Sequence, residues 1–133
     1  MQLIENATKQ KLKGAYYTPS AIADFILRWG INGGNNAEIL EPSCGDGVFL
    51  ECIVNGNMLY KSVTAIEYEN EEAKKARAIK LHDSNVVNGD FHRFCLDTEQ
   101  RFDLVVGNPP FIRYQYYNEA QQVLADQIFK NAK

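Results

Sequence analysis

The sequence predicts an α/β protein built on a parallel sheet, and three observations predict it. Short apolar runs at 37–40, 62–67, 85–88 and 102–107 alternate with segments of helical periodicity. Polar or glycine residues gather directly after those runs: Glu41 to Gly47, Glu67, Asp90 and Asn108. The chain has 133 residues, 45% hydrophobic and 23% charged, which suits one packed domain and excludes a disordered or fibrous polypeptide.

Residues 1–13 are a polar lead with Lys9, Lys11 and Lys13. A helix is expected next. Thr18 is the candidate N-cap, Pro19 suits the first helical position, and Ile22, Phe25, Ile26 and Trp29 form the apolar stripe. Gly30 and the Gly33-Gly34-Asn35-Asn36 run stop it. The first strand, 37–40, leads into a turn over 41–47 and a helix over 48–54 that ends at Asn55-Gly56-Asn57. After the second strand, 62–67, Asn70 caps a helix reaching Leu81 with Ala73, Ala76 and Ile79 inward. The strands at 85–88 and 102–107 follow. A last amphipathic helix over 118–129 turns Ala120, Val123, Leu124 and Ile128 to one side. Strand–helix alternation means crossover connections and a Rossmann-like parallel sheet, in which ligands sit beyond the carboxyl ends of the strands.

Composition narrows the function classes. The longest aliphatic stretches are three or four residues, too short to cross a membrane. The start, Met1-Gln2-Leu3-Ile4-Glu5, lacks a secretory pattern. Cys44, Cys52 and Cys95 form no CxxC pair, so neither a disulfide framework nor a zinc cluster is expected, and a reducing cytoplasm is the expected location. A net charge of −3 argues mildly against nucleic acid, although acids concentrate in the middle of the chain and both ends carry a slight basic excess.

The strand ends carry the chemistry. Gly45-Asp46-Gly47 permits a tight bend and a close backbone approach to a ligand, or is simply a turn. A dinucleotide fingerprint needs a third glycine where Leu50 stands, so that reading is disfavoured. Glu67 can accept from two ribose hydroxyls, or be a solvated acid. Asp90 can accept from an adenine amine with Phe91 packed on the ring, or cap the segment at 91–94. Together these describe a nucleoside pocket without a phosphate cradle, the shape of S-adenosylmethionine (SAM). Asn108-Pro109-Pro110-Phe111 is the most specific feature. Consecutive prolines remove two N–H donors and leave carbonyl acceptors, Asn108 adds a side-chain acceptor, and an aromatic ring follows at once. Such a corner can hold a planar amine by its two hydrogens and stack on its face.

Through Glu41-Pro42-Ser43-Cys44-Gly45-Asp46-Gly47 and Asn108-Pro109-Pro110-Phe111 the sequence resembles the SAM-dependent amino-methyltransferases. Through Gly14-Ala15-Tyr16-Tyr17-Thr18-Pro19, upstream of the first of these, it resembles more narrowly the γ-class adenine-N6 DNA methyltransferases of restriction–modification systems. The likeness runs from Gly14 to about Arg113. It implies a Rossmann-like SAM-dependent methyltransferase fold with strand order 3-2-1-4. It implies that Tyr17, Thr18 and the adjacent backbone meet the methionine carboxylate. Glu41, Pro42, Cys44, Gly45 and Gly47 would line methionine and sugar, Glu67 would hold the ribose, and Asp90 and Phe91 the cofactor adenine. Asn108 and the Pro109 carbonyl would bind the target amine, beside Pro110, and Phe111 would stack on the base. Phe111 stands where Tyr is commoner; stacking does not need the hydroxyl.

The family's sheet has seven strands and a separate target-recognition domain. The chain is therefore expected to be a single N-terminal portion of a catalytic domain, or a subunit, with strand four as a bare edge that favours self-association or a partner chain. DNA with a flipped adenine is the expected substrate. The rivals are a protein-glutamine or ribosomal RNA amine methyltransferase and a non-catalytic SAM-binding or assembly module; the Gly14 to Pro19 segment favours the DNA reading. Arg113, Tyr114, Tyr116 and Tyr117 either contact DNA or cover the core, with the core role slightly favoured.

Overall fold

The computed structural model describes residues 17–32, 36–110 and 117–132. The chain divides into two compact units, residues 18–109 and a second of residues 1–17 with 110–133. In the first, the elements run α1 (Ser20–Ile31), β1 (Glu38–Glu41), α2 (Val48–Asn55), β2 (Ser62–Glu67), α3 (Asn70–Ala78), β3 (Ser84–Asn88), α4 (Phe91–Asp97) and β4 (Leu104–Val105). All strand pairs are parallel and the order is β3-β2-β1-β4, as the sequence predicts. The chain begins at the centre of the sheet, builds outward through β2 and β3, then returns to the other side of β1. That reversal makes the carboxyl ends of β1 and β4 the topological switch point of the sheet, the place where such folds bind ligands.

Strand β2 is the core of the sheet: Val63 to Glu67 are all buried. Ile39, Leu50, Ile53 and Val86 share one core cluster with its Val63 and Ala65. Strand β4 is shorter than the expected 102–107. Only Leu104 and Val105 pair with β1, and Val105 is 60% exposed. The strand is held at its entry by a reciprocal pair: the Glu38 amide donates to Asp103 Oδ2 at 2.9 Å, and the Asp103 amide donates to the Glu38 carbonyl at 2.8 Å.

Helix α1 differs from expectation in cap and face. Pro19, not Thr18, is its N-cap, and no side chain caps it. The buried residues are Ala23 and Leu27; of the expected stripe Ile26 packs against the core, while Ile22, Phe25 and Trp29 are 51%, 70% and 78% exposed. The reason is close approach. A Cβ on Gly30 would lie 2.9 Å from Leu104 Cδ1, so the row that meets the core is Ala23, Leu27 and Gly30, with glycine at the closest contact. Helix α3 starts at Asn70 with Glu69 as its cap residue and buries Ala73 and Ala76. In the second unit, α5 (Glu119–Asn131) has a full capping box: Asn118 Oδ1 accepts from the Gln121 amide, and the Gln121 side chain accepts from the Asn118 amide. Ala125 is its buried residue; Val123 is exposed, unlike the expected stripe. No helix among the described residues is long and apolar enough to cross a membrane.

Candidate active site

The turn after β1 is built by backbone and glycine geometry. The Cys44 amide donates to the Ile66 carbonyl at 2.9 Å, which fastens the turn to β2. Gly45 and Gly47 have φ of +55° and +102°, a region L side chains avoid. A Cβ on Gly47 would strike the Ile79 side chain and sit 3.2 Å from Ala76 Cα, so this glycine also permits α2 to begin against α3. A Cβ on Gly45 would meet nothing within 4 Å; the turn is open on that side.

Glu67 is neither solvated nor idle. It is buried, its Oε2 accepts from the Gly45 amide at 2.8 Å, and its Oε1 accepts from the Glu69 amide at 2.7 Å. The carboxylate thus ties the end of β2 to the glycine turn, and each oxygen keeps a further lone pair. Asp90 caps α4, its Oδ1 accepting from the Arg93 amide at 3.1 Å with His92 Nδ1 at 3.4 Å. Both contacts use Oδ1, and among the described residues Oδ2 remains available as an acceptor. Phe91 is half-buried beside it.

Glu41 is the unusual residue. It ends β1, is 1% exposed, and neither carboxyl oxygen has a hydrogen-bond partner. Burial pushes its carboxyl up to about 8. The Ser43 amide offsets part of that without bonding either oxygen, and the Glu67 charge adds to it. An orphaned buried carboxyl is costly and points to a missing donor. Gly107 lies directly against it: a Cβ there would overlap Glu41 Oε1 and approach Pro42 Cδ at 3.3 Å. Cys44 is buried, and its thiol is pushed up to about 12 by burial and by Glu41 and Glu67. Burial also raises Cys52 and Cys95, so all three cysteines are thiols at neutral pH.

Asn108 follows Gly107 beyond the end of β4. It is exposed, and its Nδ2 donates to Thr18 Oγ1 at 3.2 Å. Pro109 is also exposed. The structure therefore brings Thr18, Glu41, Pro42, Cys44, Gly45, Gly47, Glu67, Asp90, Phe91, Asn108 and Pro109 into one unit, with the acids and Asn108 at the carboxyl ends of the strands or just past them. Tyr17 and Pro110 are exposed and fall in the second unit. Phe111, Gly14 to Tyr16, Arg113, Tyr114 and Tyr116 lie outside the described residues. Sequence reasoning did not find the Glu67–Gly45, Glu41–Gly107 or Thr18–Asn108 contacts. The last two join residues far apart in the chain, and only the fold creates them.

The family described as N-6 DNA Methylase matches residues 2–133. The Type II methyltransferase M.HincII of Haemophilus influenzae is 31% identical over 110 residues, covering 82% of this chain and 19% of its own length. The Type II methyltransferase M.BanIII of Aneurinibacillus aneurinilyticus is 30% identical over 140 residues, covering 84% of this chain and 24% of its own. The chain thus spans about a fifth to a quarter of the length of these relatives. Among solved structures, a putative RNA methyltransferase from Pyrococcus horikoshii superposes with a TM-score of 0.61 at 20% identity, over 90% of this chain and 59% of that one. The fold is that of the Rossmann-like methyltransferases.

Proposed function

Because the chain belongs to the N-6 DNA methylase family, we propose that it forms the cofactor crevice and amine-holding corner of a SAM-dependent methyltransferase acting on the N6 amine of adenine in DNA, within a restriction–modification system. The observation that carries the reading is Gly107 packed on Glu41. It sets the Asn108 corner directly beside an orphaned carboxyl at the switch point of the sheet.

The residues present fit the cofactor. SAM carries an ammonium group and a sulfonium, and Glu41 is a buried carboxyl in want of a donor or a cation. The open side of the Gly45 turn admits a close backbone approach. Glu67 is the ribose acceptor and Asp90 Oδ2 the acceptor for the cofactor adenine amine, with Phe91 on the ring. Thr18 keeps its hydroxyl proton for the methionine carboxylate, since its oxygen accepts from Asn108.

When bound, SAM supplies an electrophilic methyl group. The chain's own residues handle the amine. An adenine amine is a weak nucleophile because its lone pair is delocalised into the ring. The target base leaves the duplex to reach the corner. Asn108 Oδ1 and the Pro109 carbonyl accept its two hydrogens, which favours a pyramidal nitrogen and supports the positive charge that develops on it. Phe111, two residues on, takes the stacking role. The raised cysteine thiols argue against a thiolate nucleophile. Pairing of the exposed β4 edge with a second chain or a further segment belongs to the same reading.

Transfer of tritium from methyl-labelled SAM to duplex DNA, to RNA and to a release factor tests it. Label in N6-methyladenine of duplex DNA supports the reading; label only in RNA or protein overturns its substrate.

A further inference from the structure

We infer that Thr18 is a positioning residue for the methyl acceptor site: its hydroxyl fixes the orientation of the Asn108 carboxamide. The inference rests on the proposed amine chemistry. Asn108 lies beyond the end of the two-residue strand β4 and is exposed. The two ends of a carboxamide are nearly equal in shape and opposite in hydrogen-bonding sense. With Oδ1 outward the group accepts from an incoming amine; turned over, it presents two donors to a donor and repels it. The hydrogen bonds of Asn108 recorded in the structure comprise Nδ2 to Thr18 Oγ1 at 3.2 Å. That bond occupies the amino end and leaves Oδ1 for the ligand.

The residue that makes it sits ninety positions away, just ahead of α1. Thr18 is free for this task because it does not cap its own helix. Pro19 is the cap residue, and the first turn closes through the Pro19 carbonyl, which accepts from the Ile22 and Ala23 amides. Helix α1 is in turn seated on the sheet through Gly30 against Leu104, the first residue of β4.

Thr18→Val keeps the shape and removes the hydroxyl; Thr18→Ser keeps the hydroxyl. Two readouts on the full 133-residue chain test the role. The first is the Asn108 side-chain amide signal in a nitrogen–proton correlation spectrum. A proton shifted by its hydrogen bond is expected in the native chain and in Thr18→Ser, and a free-amide pattern in Thr18→Val. The second is turnover on adenine-containing duplex at saturating SAM. A loss of about tenfold is expected for Thr18→Val, the scale of one hydrogen bond, with Thr18→Ser restored to within about threefold. An Asn108 signal unmoved by Thr18→Val overturns the inference. So does full recovery of turnover once SAM is saturating, because that pattern means Thr18 serves only the cofactor. Failure of the native chain to bind SAM overturns the functional reading instead, and the amide signal still decides whether Thr18 holds Asn108.

Discussion

The two sides of β1 are built differently. Toward β2, four residue pairs are in register, the glycine turn is fastened by the Cys44 amide, and the buried Glu67 carboxylate holds both that turn and the Glu69 amide. Toward β4, two pairs are in register, Val105 is exposed, the Val106 amide donates to the Leu40 carbonyl, and the Asp103–Glu38 pair and the Thr18–Asn108 bond lie at the surface. The comparison teaches a division of labour. The side proposed for the cofactor is set in advance by buried backbone hydrogen bonds. The side proposed for the target amine has fewer strand pairs and adds exposed side-chain hydrogen bonds, as an entry point for a large substrate requires.

The sharpest way to break this division is Asn108→Ala. Turnover is expected to fall by about 2–4 kcal/mol of barrier while SAM affinity stays nearly unchanged. Equal losses in calorimetric SAM affinity and in turnover would merge the two sides into one. Gly47→Ala strikes the opposite side. Its positive φ and the approach to Ile79 and Ala76 should lower stability by about 3 kcal/mol in urea unfolding. A native-like midpoint would mean that the turn is not held rigid.

Glu41 lies between the two sides, and pH addresses it. Its folded carboxyl binds a proton up to about pH 8, against an ordinary value of 4.5, so the folded state holds the proton more tightly than the unfolded chain. Its contribution is therefore most favourable below the ordinary value and is lost as pH rises toward 8. Glu41→Gln should flatten that decline, leaving the variant more stable than the native chain at pH 8 by on the order of 2 kcal/mol. Unfolding curves at pH 5 and pH 8 check the sign; a variant with the same pH dependence as the native chain would remove Glu41 as the cause. The smallest effect is expected at the β4 tether. Asp103→Ala loses the hydrogen bond to the Glu38 amide and should cost about 1 kcal/mol. Faster amide exchange should follow at Val106, whose amide donates to the Leu40 carbonyl, but not at Cys44.

Much of this was legible in the sequence because it is local. Apolar runs alternating with helical periods predict a parallel sheet, and Ser62–Glu67 forms as expected. The strand order followed from the resemblance, and the polar residues after each run lie at the carboxyl ends of the strands or just past them. Helix α1 was misread because periodicity weighs large apolar residues, whereas a tight contact through Gly30 selects Ala23 and Leu27 and leaves Phe25 and Trp29 outside. Asp90 proved to be the helix cap that its position allowed, without losing its second oxygen as an acceptor. The hidden part is non-local: a carboxyl orphaned by Gly107, a glycine amide bound by Glu67, and an asparagine steadied by a threonine from the other end of the unit. No spacing rule encodes those distances.

A crystal structure with S-adenosylhomocysteine tests the central claim most directly. The account predicts the nucleoside along Glu67 and Asp90, a hydrogen-bond donor of the ligand on Glu41, and the thioether sulfur facing Asn108. A ligand bound away from the ends of β1 and β4, with Glu41 still unpartnered, would contradict it.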